Sequence, residues 1–205
     1  FRYSSGLAIP PVLKIVPKVR TSDTFVISDT ATGIVTVNTE VKNSTSKPCS
    51  GTVKCTIRDK EGRVLLKNAT RYSVAADKTE LLKFKFKVDK KLKMWDIGEP
   101  NLYFADLETT VPGQPSQKTS TRFGYRTVKV KGEDIYLNGR KIRMIGPWAH
   151  IGEWTYRRYY RGKRLAPKEF YEAMLSKGLN YGRLHCQPFP EEFYDAADEA
   201  GFLLI

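Results

Sequence analysis

The run Leu82-Lys83-Phe84-Lys85-Phe86-Lys87-Val88 alternates apolar and basic residues without interruption. A pleated strand sends successive side chains to opposite faces. This spelling therefore puts Leu82, Phe84, Phe86 and Val88 on an inner face and Lys83, Lys85 and Lys87 in solvent, the pattern of an antiparallel sheet wetted on one side.

The same period extends outward in both directions, from about Val12 to Val130, as short runs broken by turn residues. Val35, Val37 and Val41 line one predicted strand; Val53, Cys55 and Ile57 line another, followed by the turn Asp59-Lys60-Glu61-Gly62. Further strands are expected over residues 102–107 and 121–130, with residues 111–120, which hold Pro112, Gly113 and Pro115, as an exposed hairpin connection. About seven strands in roughly 110 residues predict an immunoglobulin-like β-sandwich.

The architecture changes at Ile135-Tyr136-Leu137-Asn138-Gly139-Arg140, where Asn-Gly suits the positive φ angles of a two-residue hairpin whose second strand is expected to reach Ile145. Beyond it the period becomes helical. Pro167 suits a first helical position, Phe170, Tyr171, Met174 and Leu175 form an apolar stripe, and Gly178 suits a C-terminal cap. An extended run is expected over residues 180–185. Pro190, Glu191 and Glu192 then open a second helix with buried positions Phe193, Ala196, Ala197 and Ala200, ended by Gly201, and residues 202–205 form an apolar strand. Strand, helix, strand, helix, strand is the start of a parallel sheet. The fold class expected is mainly β: a sandwich followed by the first βα units of an incomplete (β/α)8 barrel. A bare apolar strand at residues 202–205 would need cover, from another copy of the chain, from the sandwich, or by disorder of the segment after about Gly146.

The 205 residues are 40% hydrophobic and 28% charged, which suits a globular chain rather than a disordered one. The sequence begins with Phe1 and has no run of 18 apolar residues, so a piece of a longer polypeptide with no membrane segment is expected. The net charge of +13 permits attraction to nucleic acid, anionic lipid or acidic glycans. Cys49, Cys55 and Cys186 are odd in number and lack metal-ligand spacing, so neither a disulfide framework nor a metal is expected; Cys55 reads as a small buried residue. They leave the compartment open, a periplasmic or secreted one being slightly favoured over a cytoplasmic one.

Four segments occur in order: Met94-Trp95-Asp96-Ile97-Gly98-Glu99-Pro100-Asn101-Leu102-Tyr103, then Phe123-Gly124-Tyr125-Arg126, then Tyr136-Leu137-Asn138-Gly139-Arg140-Lys141-Ile142 with Gly146 and His150, and the closing Asn180 to Arg183 with Pro190, Phe193-Tyr194-Asp195, Asp198-Glu199 and Gly201-Phe202-Leu203-Leu204-Ile205. Jointly they resemble glycoside hydrolase family 2, the family of β-galactosidases, β-glucuronidases and β-mannosidases. The resemblance implies that residues 1–11 are the tail of a sugar-binding-like sandwich, 12–130 an immunoglobulin-like domain, and 131–205 the N-terminal part of a (β/α)8 barrel of ~250 residues. It also implies hydrolysis of O-glycosidic bonds of β-linked sugars by a retaining mechanism using two carboxylates. The implied partners are the carbohydrate substrate and the remainder of the parent enzyme, with a homo-oligomer as a further possibility; no cofactor is implied, and although some members of the family use metal ions, this sequence shows no ligand cluster, so no metal is expected. Both catalytic Glu residues would lie beyond Ile205, so no catalytic residue is expected within this chain and the chain alone is expected to be inactive.

Arg183 occupies the position where the resemblance implies an arginine orienting the nucleophile, work suited to a planar fork of donors; a structural ion pair within the barrel is the alternative. His150 and His185 are candidates for contact with a sugar hydroxyl or the developing oxocarbenium ion, or else are structural. His185 stands where the family motif has serine, Cys186 where it has histidine, and Trp148 where it has asparagine. Trp148 and Trp154 either stack on a sugar face or pack the barrel rim. Glu153 follows the first barrel strand; Glu191, Glu192 and Glu199 read as helix-dipole and solvent residues. The basic and aromatic stretch at residues 154–164 reads as an extended loop, next as a contact to an acidic or sulfated glycan, and last as a nucleic-acid contact. A noncatalytic carbohydrate-contact or structural module and a basic nucleic-acid-binding protein are the two alternative functions.

Overall fold

The computed structural model describes residues 11–147, 167–184 and 189–205. Seven strands form two antiparallel sheets: β1 (Val19–Asp29), β2 (Ile34–Asn43), β3 (Cys49–Asp59), β4 (Val64–Val74), β5 (Lys78–Lys87), β6 (Leu102–Thr110) and β7 (Gln117–Gly124). One sheet has the order β1-β2-β5, the other β4-β3-β6-β7, so the chain changes sheet after β2, after β4 and after β5. That is an immunoglobulin-like sandwich, with inward side chains of both sheets forming its core. Val35, Val37 and Val41 of β2, Val53, Cys55 and Ile57 of β3, and Phe84 of β5 are all fully buried there. Lys83, Lys85 and Lys87 are exposed, as their alternation requires. The buried Asn43 is satisfied on every side: its Nδ2 donates to the carbonyls of Lys47, Val74 and Ala75, and its Oδ1 accepts from the N–H and hydroxyl of Thr45.

In the sandwich two expected boundaries move. The connection between β6 and β7 is shorter than residues 111–120, because the ladder pairs as far as Thr109 with Gln117. The run expected over residues 121–130 is broken, because the backbone at 125–127 is recruited elsewhere. Trp95 N–H donates to the Tyr125 carbonyl, the Thr127 hydroxyl donates to the Ser28 carbonyl, and Thr127 N–H donates to Asn138 Oδ1.

The chain then makes a three-stranded meander from β8 (Val128–Lys131), β9 (Asp134–Leu137) and β10 (Arg140–Ile142). Asn138 and Gly139 join β9 to β10 with φ of 53° and 82°, the geometry their sequence suits. β10 ends at Ile142 rather than Ile145, since residues 143–147 leave β9 and run beside Asn180. After it come α1 (Pro167–Leu175), β11 (Tyr181–Gly182), α2 (Glu191–Ala200) and β12 (Leu203–Leu204), with β11 and β12 paired in parallel. Tyr171 and Met174 of α1 and Ala196, Ala197 and Ala200 of α2 bury a common face with Phe202. No helix among the described residues is long and apolar enough to cross a membrane. One parallel pair spanned by a helix is a single βαβ unit, and by itself does not make a barrel.

Candidate functional site

Three extended segments lie side by side at the C-terminal end of the described chain. Asn180 N–H donates to the Ile145 carbonyl at 2.8 Å, Leu203 N–H to the Asn180 carbonyl at 3.0 Å, and Leu184 N–H to the Ile205 carbonyl at 2.7 Å. The Asn180 side chain staples the first segment to β11, accepting from Ile145 N–H and donating to the Arg143 carbonyl, each at 2.9 Å. Gly146 is required by this approach: a Cβ there would fall 1.7 Å from the Tyr181 carbonyl oxygen.

Side chains alternate across this small sheet. Leu179, Phe202 and Leu204 pack with the helices, whereas Tyr181 and Leu203 pack with Trp95, Leu137 and Ile142. Arg183, two residues beyond Tyr181, takes the face turned away from α1 and α2, at the C-terminal end of β11. It is exposed, and no carboxylate among the described residues pairs with it. His150, His185, Trp148, Trp154, Glu153 and Cys186 lie outside the described residues, as does the whole stretch 154–164.

The sandwich grips the second helix directly. Trp95 is almost wholly buried, and its indole Nε1 donates to the Asp198 carbonyl at 2.8 Å. The Arg126 guanidinium stacks on the Trp95 ring at 4.2 Å, and Gly124 leaves space that a Cβ would fill at 2.9 Å from that side chain. Arg122 gathers three carboxylates of α2: Asp195 at 2.6 Å and Asp198 at 3.4 Å on Nη2, and Glu199 at 3.0 Å on Nη1. Glu199 is therefore an ion-pair partner, not the free solvent residue expected, because α2 turns that face onto β7. Burial raises the Asp198 carboxyl above its usual pKa, against the opposing pull of Arg126 and Arg122, while burial lowers Arg126. Gly201 closes α2 at a φ of 76°, and its carbonyl accepts from Gly98 N–H at 3.0 Å. A Cβ at Gly201 would meet Gly98 N at 2.6 Å, so both the turn and the contact need glycine.

In the sequence Trp95 and Arg126 stand out only as parts of motifs, and Arg122 belongs to none of them. The signal available was the run of acids Asp195, Asp198 and Glu199 on one helical side. Beside β12 an open groove of about 850 Å³ is lined mainly by apolar side chains, including Val130, Met144, Leu184, Leu204 and Ile205. Among the described residues no cluster of His, Cys, Asp and Glu could hold a metal ion.

Residues 19–126, more than half of the chain, match the family model described as Glycosyl hydrolases family 2. The chain belongs to this family. Its family 2 relatives include the beta-galactosidase of Thermoanaerobacterium thermosulfurigenes, 29% identical over 76% of this chain and 22% of that protein. The exo-beta-D-glucosaminidase of Amycolatopsis orientalis is 27% identical over 83% of this chain and 16% of that protein. The fold matches a solved family 2 member from Bacteroides cellulosilyticus with a TM-score of 0.78 at 18% identity, over 93% of this chain and 25% of that one. The chain thus spans about a fifth of the length of these relatives.

Proposed function

We propose that this chain is the immunoglobulin-like domain and barrel start of a retaining β-glycosidase. The family match over residues 19–126 carries this reading, supported by relatives named as beta-galactosidase and exo-beta-D-glucosaminidase. In a (β/α)8 barrel, active sites assemble at the C-terminal ends of the strands. Residues 143–147, β11 and β12 are read as the first three barrel strands, and Arg183 stands at such an end. Its planar donors suit a carboxylate, so its role is to orient the nucleophilic Glu. That Glu and the acid/base, held roughly 5 Å apart, come from residues outside this sequence. One protonates the leaving oxygen while the other attacks the anomeric carbon; water then releases the sugar from the covalent intermediate. His150, His185, Trp148 and Trp154 contact the substrate in this reading, and the apolar groove beside β12 receives later parts of the barrel.

The test is Arg183→Ala in the parent polypeptide, assayed on nitrophenyl β-galactoside, β-glucuronide and β-glucosaminide. Loss of an interaction made mainly in the transition state is expected to lower kcat by about 10²- to 10³-fold with folded protein retained. Unchanged kcat on the preferred substrate removes Arg183 from the site. Loss of folded protein alone assigns it to a structural ion pair.

A further inference from the structure

Across its middle rows the outer face of the β1-β2-β5 sheet is graded from apolar to cationic, while exposed Leu81 and Lys42 lie beyond them on the same face. Pairing sets Phe25 opposite Asn38 and Asn38 opposite Lys83; the next row is Ile27, Thr36 and Lys85. The third row is Asp29, Ile34 and Lys87, with the carboxylate at its β1 end. Phe25 and Ile27 are 64% and 50% exposed, so much of their apolar surface stays in water, where covering it would be favourable. On the far side of the same face, Lys83 and Lys85 are exposed and have no carboxylate within ion-pair distance among the described residues, while Lys87 lies 3.6 Å from Asp89. The acids on this face stand at its margins: Glu40 in the row with Leu81, and Asp29, whose carboxylate is engaged by the N–H groups of Ala31 and Thr32.

We propose that this face is a docking surface for an acidic polysaccharide, a hydroxyl-rich chain carrying carboxylate or sulfate groups. Such a ligand matches each strip. The apolar C–H face of a sugar ring packs on Phe25 and Ile27, its hydroxyls meet Thr36 and Asn38, and its anions meet the lysine row. Strand geometry places successive lysines about 7 Å apart and sets the apolar strip about 10 Å from them, a footprint that a sugar chain lying across the strands can cover. A single-stranded nucleic acid fits less well, since its bases need successive aromatic platforms and this face offers one aromatic ring. The inference concerns binding, independent of hydrolysis, so it stands or falls separately from the role of Arg183.

The 205-residue chain is titrated into fluorescently labelled alginate and labelled dextran sulfate at physiological ionic strength, with neutral dextran and a single-stranded oligonucleotide as competitors. Saturable binding to either acidic polymer is expected, and the tighter of the two names the anion. Lys83→Gln with Lys85→Gln should weaken it by about tenfold, and Phe25→Ala by about threefold or more. The control pair Lys67→Gln and Lys118→Gln, exposed on the other sheet, removes the same charge and should change binding less than about twofold. Equal weakening by the control pair, equal competition by neutral dextran, or oligonucleotide competition as strong as that of the polysaccharide with no effect of Phe25→Ala would each overturn the proposal. So would the absence of binding to both acidic polymers.

Discussion

Phe84 and Lys85 are neighbours in the chain and lie on opposite sides of β5, one fully buried and one exposed. Truncating Phe84 to Ala leaves a cavity between two sheets that cannot collapse onto each other, and is expected to cost ~3–5 kcal/mol. Lys85→Ala removes only a solvated side chain and is expected to cost under ~0.5 kcal/mol. Urea unfolding of the two variants checks the assignment, and equal midpoints would reverse inside and outside. Residue chemistry also explains Cys55. Burial pushes its thiol up to about 12, so it stays protonated and acts as a small apolar side chain of the core.

At the scale of elements, α2 is held to the sandwich by Arg122, Trp95 and the Gly98 to Gly201 hydrogen bond. Arg122 itself is 19% exposed, but its three carboxylate partners are about half exposed, so solvent screening reduces the value of the cluster. Arg122→Ala is expected to cost about 1–2 kcal/mol near neutral pH. Asp198 decides the pH dependence. Its folded pKa is raised above the unfolded value, so the folded state holds this proton more tightly, and the contribution of Asp198 falls as pH rises from the unfolded pKa through the folded one. Without Arg122 the carboxyl is raised further, which extends that loss. The cost of Arg122→Ala should therefore be smaller near pH 4 than near pH 7, as read by urea unfolding at both. An equal cost at both pH values would mean that Arg122 acts through packing alone.

For the whole molecule, the proposed function implies that the 205-residue chain hydrolyses no glycoside, because the carboxylate pair that makes the reaction is contributed from outside it. Purified chain assayed on a panel of nitrophenyl glycosides should match a buffer blank. Turnover that follows the protein through a final column would place catalytic carboxylates within these residues. By itself the sequence determined the sandwich, the Asn138-Gly139 hairpin and both helices with their buried faces. Those features come from local rules: a period of 2 or 3.6, a turn needing positive φ, a cap needing glycine. The buried sets Val53, Cys55, Ile57 and Phe193, Ala196, Ala197, Ala200 were legible for that reason. Only the tertiary structure decided where β7 stops, why β10 yields to residues 143–147, and which cation meets Glu199. Each depends on partners far apart in sequence: Trp95 with Tyr125, Asn180 with Ile145, and Arg122 with the acids of α2. The same distinction governs the candidate site. The residue type of Arg183 was readable, but its placement at a strand end facing away from the helices follows from which neighbours Tyr181 and Leu203 bury, and periodicity carries no information about partners that distant.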